Sequence, residues 1–247
     1  AAVNCGVNLR PLAVLFVSGS IFMAITVCMG LESGVINANS TIHSNGYIRV
    51  ADRTMRDHDG STTGTLSLEK LVAHSGNVGM VRIAQMIKNQ EFYDYLKNIG
   101  FGSKTGIDIF SESTQKLFEQ KEMTEVKKAN ISFGQGIAMT QIQMLMALNT
   151  VINNGKLMKP YVVDRLIDSD GNVVQQNKPE TLKNVFNEEA SRLNRQYMEA
   201  VVTKGTGRGV RIPGYRIGGK TGTGQKSGNR GYEAGKYFSS FFAFFPV

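Results

Sequence analysis

Gly218-Gly219-Lys220-Thr221-Gly222-Thr223-Gly224 is the stretch on which the fold reading turns. It lies in a strand-like run, residues 215–223, followed across a glycine-rich turn by a second apolar run, residues 237–245. Glycine within a strand marks a place where another backbone or a ligand comes close. Working back from it, Asn187 caps an amphipathic helix that runs to about Thr203. Residues 161–167 and 172–176 flank Asp168-Ser169-Asp170-Gly171, a β-hairpin signal because Asp-Gly tolerates the backbone angles of a tight turn.

Before Pro160 the periodicity is helical. Residues 67–88 read as two helices broken at Ser75-Gly76-Asn77, opened by Ser67 with Lys70 three residues on, an incomplete capping box. A helix starts near Ser20 and stops at Gly30 or Gly34, and residues 91–99 form another, closed by Gly100. Thr140 caps residues 141–152, and Asn153-Asn154-Gly155 ends them. Helices first, then strands mixed with one helix, predict an α+β domain with an antiparallel sheet.

No repeat or long linker divides the 247 residues, so the expectation is one domain over 1–247, with residues 1–17 unassigned. The net charge of +8 would suit a nucleic-acid binder, but Lys and Arg are spread out and are densest among the glycines of residues 204–226. Nucleic acid is therefore not expected as a partner, and the charge is read as steering an anionic one, a cell wall or a carboxylate-ended peptide. Cys5 and Cys28 lack metal spacing and His43, His58 and His74 are scattered, so no metal is expected. Residues 12–31 carry no charge and have the length of a membrane span, about 20 residues. Ser18, Gly19, Ser20 and Thr26 interrupt the run and Met23 lies within it, which favours a helix interior to the domain over a span.

Three short elements carry chemistry together: Ser20-Ile21-Phe22-Met23, Ser75-Gly76-Asn77 and Lys220-Thr221-Gly222-Thr223. Serine acyl transfer needs a nucleophilic hydroxyl, a base, oxyanion donors and a cation for an anionic substrate end. A serine opening a helix is well placed, because the helix terminus favours developing negative charge. Ser75 and Asn77, in a loop between helices, supply a hydroxyl to relay protons and an amide to hold a peptide. Each tripeptide alone is weak evidence, since Lys104-Thr105-Gly106 and Ser227-Gly228-Asn229 repeat two of the strings. Order and context select Lys220 over Lys104.

In that order the elements resemble the S-x-x-K, S-x-N and K-T-G signature of penicilloyl-serine enzymes. The surrounding phrases resemble class B penicillin-binding proteins in particular: Gly19-Ser20-Ile21-Phe22 with Ala24-Ile25-Thr26, Gly64-Thr65-Leu66-Ser67-Leu68 leading to Ala73-His74-Ser75-Gly76-Asn77-Val78-Gly79, Gly100-Phe101-Gly102 with Thr105-Gly106-Ile107-Asp108, and Ser132-Phe133-Gly134-Gln135-Gly136. The resemblance covers roughly residues 18–247. It implies a penicillin-binding/β-lactamase-like transpeptidase fold and a D,D-transpeptidase that cross-links D-Ala-D-Ala stem peptides. Ser20 would be the nucleophile, with Ser75, Asn77 and Lys220 completing the reacting group. Thr221, Gly222 and Thr223 would bind substrate, Lys220 with Thr221 and Thr223 taking its carboxylate, and the Ser20 and Thr223 N–H groups would hold the oxyanion. The implied partners are peptidoglycan stem peptides, β-lactams and divisome or elongation proteins, at the outer side of a bacterial membrane, with no cofactor.

Two departures stand out. Met23 occupies the place of the family's lysine, and Met neither accepts a proton nor supplies charge. Phe16-Val17-Ser18-Gly19 replaces the Tyr-Glu-Pro-Gly-like entry to the serine. The expected early strands, anchor and last strand and helix have no counterpart, so the chain reads as a truncated domain with an incomplete sheet and an exposed apolar strand at residues 241–247. Met23 keeps open a catalytically silent relative that binds peptide or a divisome partner, and the uncharged run keeps open a membrane-anchored interaction module.

Overall fold

The architecture follows from one buried helix and the elements that wrap it. The structure, a computed structural model, describes residues 10–109, 112–228 and 231–247; Cys5 and Asn229 lie outside the described residues. After α1 (Arg10–Ala13) and β1 (Leu15–Phe16), a 3-10 turn (Gly19–Phe22) runs directly into α2 (Met23–Glu32). Every residue from Met23 to Gly30 is buried. One side of α2 packs Ile25, Cys28 and Met29 with Phe92, Leu96 and Leu148; the other packs Met23 and Val27 with Leu71, Val72 and Tyr197. A helix apolar all round is a buried helix, which explains why residues 12–31 imitate a span. No helix among the described residues is long and apolar enough to cross a membrane.

Two hairpin-like pairs follow, β2 (Thr41–Ser44) with β5 (Gly64–Ser67) around β3 (Tyr47–Val50) and β4 (Arg53–Arg56). Then come α3 (Leu68–Ala73), α4 (Asn77–Met86), α5 (Asn89–Asn98) and α6 (Glu125–Ser132). Short β6 (Met139–Thr140) pairs with β1 and leads into α7 (Gln141–Ile152), so residues 15 and 16 of the unassigned segment have a structural role. Thr140 and Gln143 form the reciprocal capping box of α7. β7 (Lys156–Met158) pairs with β10 (Thr181–Asn184), and β8 (Arg165–Ile167) pairs with β9 (Val173–Gln176). The amphipathic α8 (Glu188–Thr203) is capped by Asn187, whose side chain accepts the Ala190 N–H. The last pair is β11 (Gly218–Gly228) with β12 (Gly231–Phe244).

Among the described residues all the strand pairs are antiparallel, as expected for an α+β domain, and they form separate two-stranded ladders. The expected strand over 161–167 begins only at Arg165, because the Asp108 carboxylate takes the Val162 and Val163 N–H groups at 2.8 and 3.0 Å. The expected strand over 215–223 begins at Gly218, after the turn at positive-φ Gly214, and continues to Gly228. Its partner begins at Gly231, before the expected residue 237, so much of the expected glycine-rich turn is ladder. Phe241 and Phe245 of the last apolar run are exposed.

Candidate active site

The turn that carries Ser20 is shaped by close backbone approaches. Gly19 adopts φ +57, a left-handed conformation that favours glycine, and its N–H donates to the Gly134 carbonyl at 3.1 Å. A Cβ on Gly134 would overlap the Gly19 carbonyl, and one on Gly19 would overlap the Thr223 carbonyl. From the other side, a Cβ on Gly222 would sit 2.7 Å from both the Ser18 carbonyl oxygen and Ile21 Cγ1. The glycines of β11 thus let the strand lie on the backbone of residues 17–21, the close approach that glycine in a strand signals. Ser20 is half-buried in this turn, Thr221 is half-buried beside it and Thr223 is exposed.

Ser75 occupies the break between α3 and α4 with φ +58, sparsely populated for a residue with a Cβ and costing about 1–3 kcal/mol. Its N–H donates to the Val72 carbonyl at 3.3 Å and the Gly76 N–H to the Leu71 carbonyl at 3.0 Å, which holds the loop. Lys220 shares a strand face with Gly222 and Gly224 by the two-residue period. Its Nζ donates to Ser75 Oγ and, at 3.2 Å, to the Thr221 carbonyl. The side chain is 0% exposed, and burial pushes its pKa from 10.5 down to about 7. The loop after α8 ties these parts together: the Thr206 N–H donates to the Ala73 carbonyl at 3.0 Å and the Thr206 hydroxyl meets the Thr221 hydroxyl at 2.7 Å.

β11 therefore brings Lys220 against Ser75, Thr221 against Thr206, and Gly222 and Thr223 against the backbone of the Ser20 turn. Asn77 starts α4 and donates Nδ2 to the Arg56 carbonyl at 2.8 Å. Asp57, next to Arg56, was not legible as part of the site. Its carboxylate accepts the Val78 N–H and the Ser44 hydroxyl, each at 2.9 Å, and so caps α4 from a distant loop. Met23 is 0% exposed within the apolar cluster that lines one side of α2. Lys104 lies on an exposed turn whose Thr105 and Gly106 N–H groups donate to the Glu112 carboxylate at 2.6 and 3.2 Å, a structural role away from the cleft. His43 is a surface residue bridging Thr65 Oγ1 and Asn45 Oδ1.

Residues 7–247 match the family described as penicillin binding protein transpeptidase domain. The chain belongs to that family. Among curated proteins it is 34% identical over 231 residues to stage V sporulation protein D of Bacillus subtilis, covering 93% of this chain and 36% of the relative. It is 31% identical over 261 residues to a peptidoglycan D,D-transpeptidase FtsI homolog of Mesostigma viride, covering 96% and 44%. The chain thus spans less than half of each of these two relatives. Among solved structures, the apo transpeptidase domain of Burkholderia pseudomallei penicillin-binding protein 3 superposes with a TM-score of 0.86 at 27% identity, covering 97% of this chain and 70% of that one. The transpeptidase fold expected from the sequence is the fold this chain has.

Proposed function

We propose that this chain is the acyl-transfer portion of a penicillin-binding peptidoglycan D,D-transpeptidase of cell-wall biogenesis. The observation that supports it most is that one strand, β11, both carries the Lys220 that donates to Ser75 and lies on the Ser20 turn, so that three distant parts of the sequence meet along it. In this reading the Ser20 hydroxyl attacks the penultimate D-alanine carbonyl of a stem peptide, the terminal D-alanine leaves, and the acyl group passes to an amine on a neighbouring strand. The N–H groups of Ser20 and Thr223 serve the oxyanion. Burial of Lys220 leaves the substrate carboxylate to the hydroxyls of Thr221 and Thr223, with the lysine behind them. Asn77 contributes its amide oxygen to the peptide.

β-Lactams are proposed to acylate the same serine; solved relatives of this fold, at 24% identity, are complexes with ampicillin and aztreonam. Placement on the outer side of a bacterial membrane, with divisome or elongation partners, goes with the same reading. The test is the intact mass of the chain after incubation with benzylpenicillin. One added penicilloyl group, absent in Ser20→Ala, supports the assignment, and addition that survives Ser20→Ala refutes it. The complete burial of Met23 in an apolar cluster favours a second reading, a silent relative that binds peptide without acylation. Reversible binding of a D-Ala-D-Ala peptide with no acyl adduct at any pH would select it.

A further inference from the structure

A serine hydroxyl is a weak nucleophile until a neighbouring group takes its proton. Met23, one helical turn after Ser20, has no site for a proton. It is packed among Val27, Leu71, Val72 and Tyr197 as an ordinary core residue. The buried amine of the cleft is on β11 instead.

Lys220 is wholly removed from solvent, and no carboxylate pairs with it among the described residues. Among the described residues Lys204, just after α8, pairs with Glu69 at 2.8 Å, and Arg216 pairs with Glu199 of α8 at 2.7 Å. On α8, which packs against β11, Arg192 pairs with Glu189 at 2.6 Å, Arg195 donates to the Ile152 carbonyl at 2.7 Å, burial pushes the Tyr197 phenol up and Glu188 is exposed; His74 is next to Ser75 in sequence, and Tyr237 of β12 is exposed. The cross-strand neighbour of Lys220 on β12 is Phe242, and the 3-10 turn beneath it, Gly19–Phe22, has no titratable side chain. An isolated buried ammonium is costly, and its neutral amine is correspondingly accessible near neutral pH. Among the described residues that amine has one side-chain partner, the hydroxyl of Ser75, whose backbone holds φ +58 in the break between α3 and α4.

We propose that Lys220, working through the Ser75 hydroxyl, takes the Ser20 proton in this chain and so replaces a base at position 23. The inference rests on the acyl-transfer reading of Ser20 given above. As Ser20 Oγ forms its bond to the acyl carbon, its proton passes to Ser75 Oγ, and the Ser75 proton passes to Lys220 Nζ, which becomes an ammonium. When the bond from the acyl carbon to the leaving nitrogen breaks, Lys220 returns a proton by the same route to that nitrogen. The relay ends as the neutral amine and an intact Ser75 hydroxyl, and no co-reactant is consumed.

The experiment is the acylation rate with a fluorescent penicillin between pH 5.5 and 9.5, for the unmodified full chain and for Lys220→Arg, Ser75→Ala, Met23→Lys and Ser20→Ala. The unmodified chain should label faster as pH rises through an inflection near 7, where Lys220 loses its proton. Lys220→Arg keeps a cation that never gives up its proton in this range. It should label about a hundredfold more slowly or worse and lose the inflection. Ser75→Ala, which keeps Lys220 and replaces a half-buried side chain by a smaller one, should show the same flat profile if the arginine variant fails to fold. Labelling of Met23→Lys should depend less on Lys220, so that the double variant with Lys220→Arg is faster than Lys220→Arg alone. If Ser75→Ala or Lys220→Arg labels at the unmodified rate with the same inflection, the relay is overturned. If only Met23→Lys labels, at Ser20, the relay is overturned while the acyl-transfer site stands. If no variant labels, or Ser20→Ala labels as well, the acyl-transfer reading itself falls and takes the relay with it.

Discussion

Replacing Lys220 by Met should make the protein more stable at pH 6 and slightly less stable at pH 10.5. The substitution keeps an unbranched side chain, one heavy atom shorter, and removes the amine. Burial lowers the Lys220 pKa from 10.5 to about 7, a displacement worth about 5 kcal/mol at about 1.4 kcal/mol per unit. Between those pH values the unfolded chain binds the proton and the folded chain does not, so stability of the unmodified protein rises with pH across that window. Below pH 7 both states are protonated and the full cost of burying the ammonium is present. Above 10.5 neither is, and the cost is gone. The Met variant escapes the cost but loses the hydrogen bond to Ser75, worth about 1 kcal/mol. The variant should therefore lead by about 4 kcal/mol at pH 6 and trail by about 1 kcal/mol at pH 10.5. Urea unfolding of both chains at constant ionic strength across pH 6–10.5 reads the difference directly. A stability difference that stays the same at every pH would show that Lys220 is not the desolvated amine described here.

Three further outcomes follow from the same geometry. Gly222→Ala places a Cβ 2.7 Å from the Ser18 carbonyl oxygen, a backbone atom, so β11 must lift from the Ser20 turn; about 1–3 kcal/mol of stability and at least about tenfold in penicillin labelling should be lost, and unchanged labelling would separate the turn from the site. Asp57→Asn removes the carboxylate charge at the start of α4, costing about 1 kcal/mol and lowering Tm by about 2–4 °C in a chain of this length; an unchanged Tm would leave the cap without energetic weight. Met23→Lys buries an amine in an apolar cluster and should lower stability by several kcal/mol, yet quicken labelling about a hundredfold by adding a base; labelling no faster than in the unmodified chain would show that position 23 does not limit the reaction.

Helix ends were legible because their chemistry is local. Asn187, Thr140 and Ser67 each accept an N–H three residues ahead, at 2.8, 3.3 and 3.3 Å, and a reader needs only a few neighbouring residues to see it. Strands β2 to β5 escaped the sequence reading because each has four residues, too few for a periodicity to declare itself, and their pairing is set by tertiary contact. Helix α6 escaped for a different reason. Lys128 on it is 3% exposed and reaches the Ile87 carbonyl and Asn89 Oδ1, so a charged residue stands where an apolar stripe would be read.

The candidate site was legible as order and context, but the physical feature that distinguishes a true motif from a decoy was not. Lys104-Thr105-Gly106 and Lys220-Thr221-Gly222 are the same string, yet a Cβ on Gly106 would meet nothing within 4 Å while one on Gly222 would strike the Ser18 carbonyl. Gly134 approaches Gly19 in the same way from a third segment, a contact that nothing local in Ser132-Phe133-Gly134-Gln135-Gly136 announces. Backbone contacts between glycines shape the Ser20 turn, and residue 23 takes no part in them; its side chain fills the core behind the turn. The backbone contacts that shape the Ser20 turn and the packing of residue 23 are therefore separable. On the acyl-transfer reading proposed above, a change at position 23 would alter who holds the proton without touching the backbone contacts that shape the Ser20 turn, so Met23 would bear on the rate of acylation.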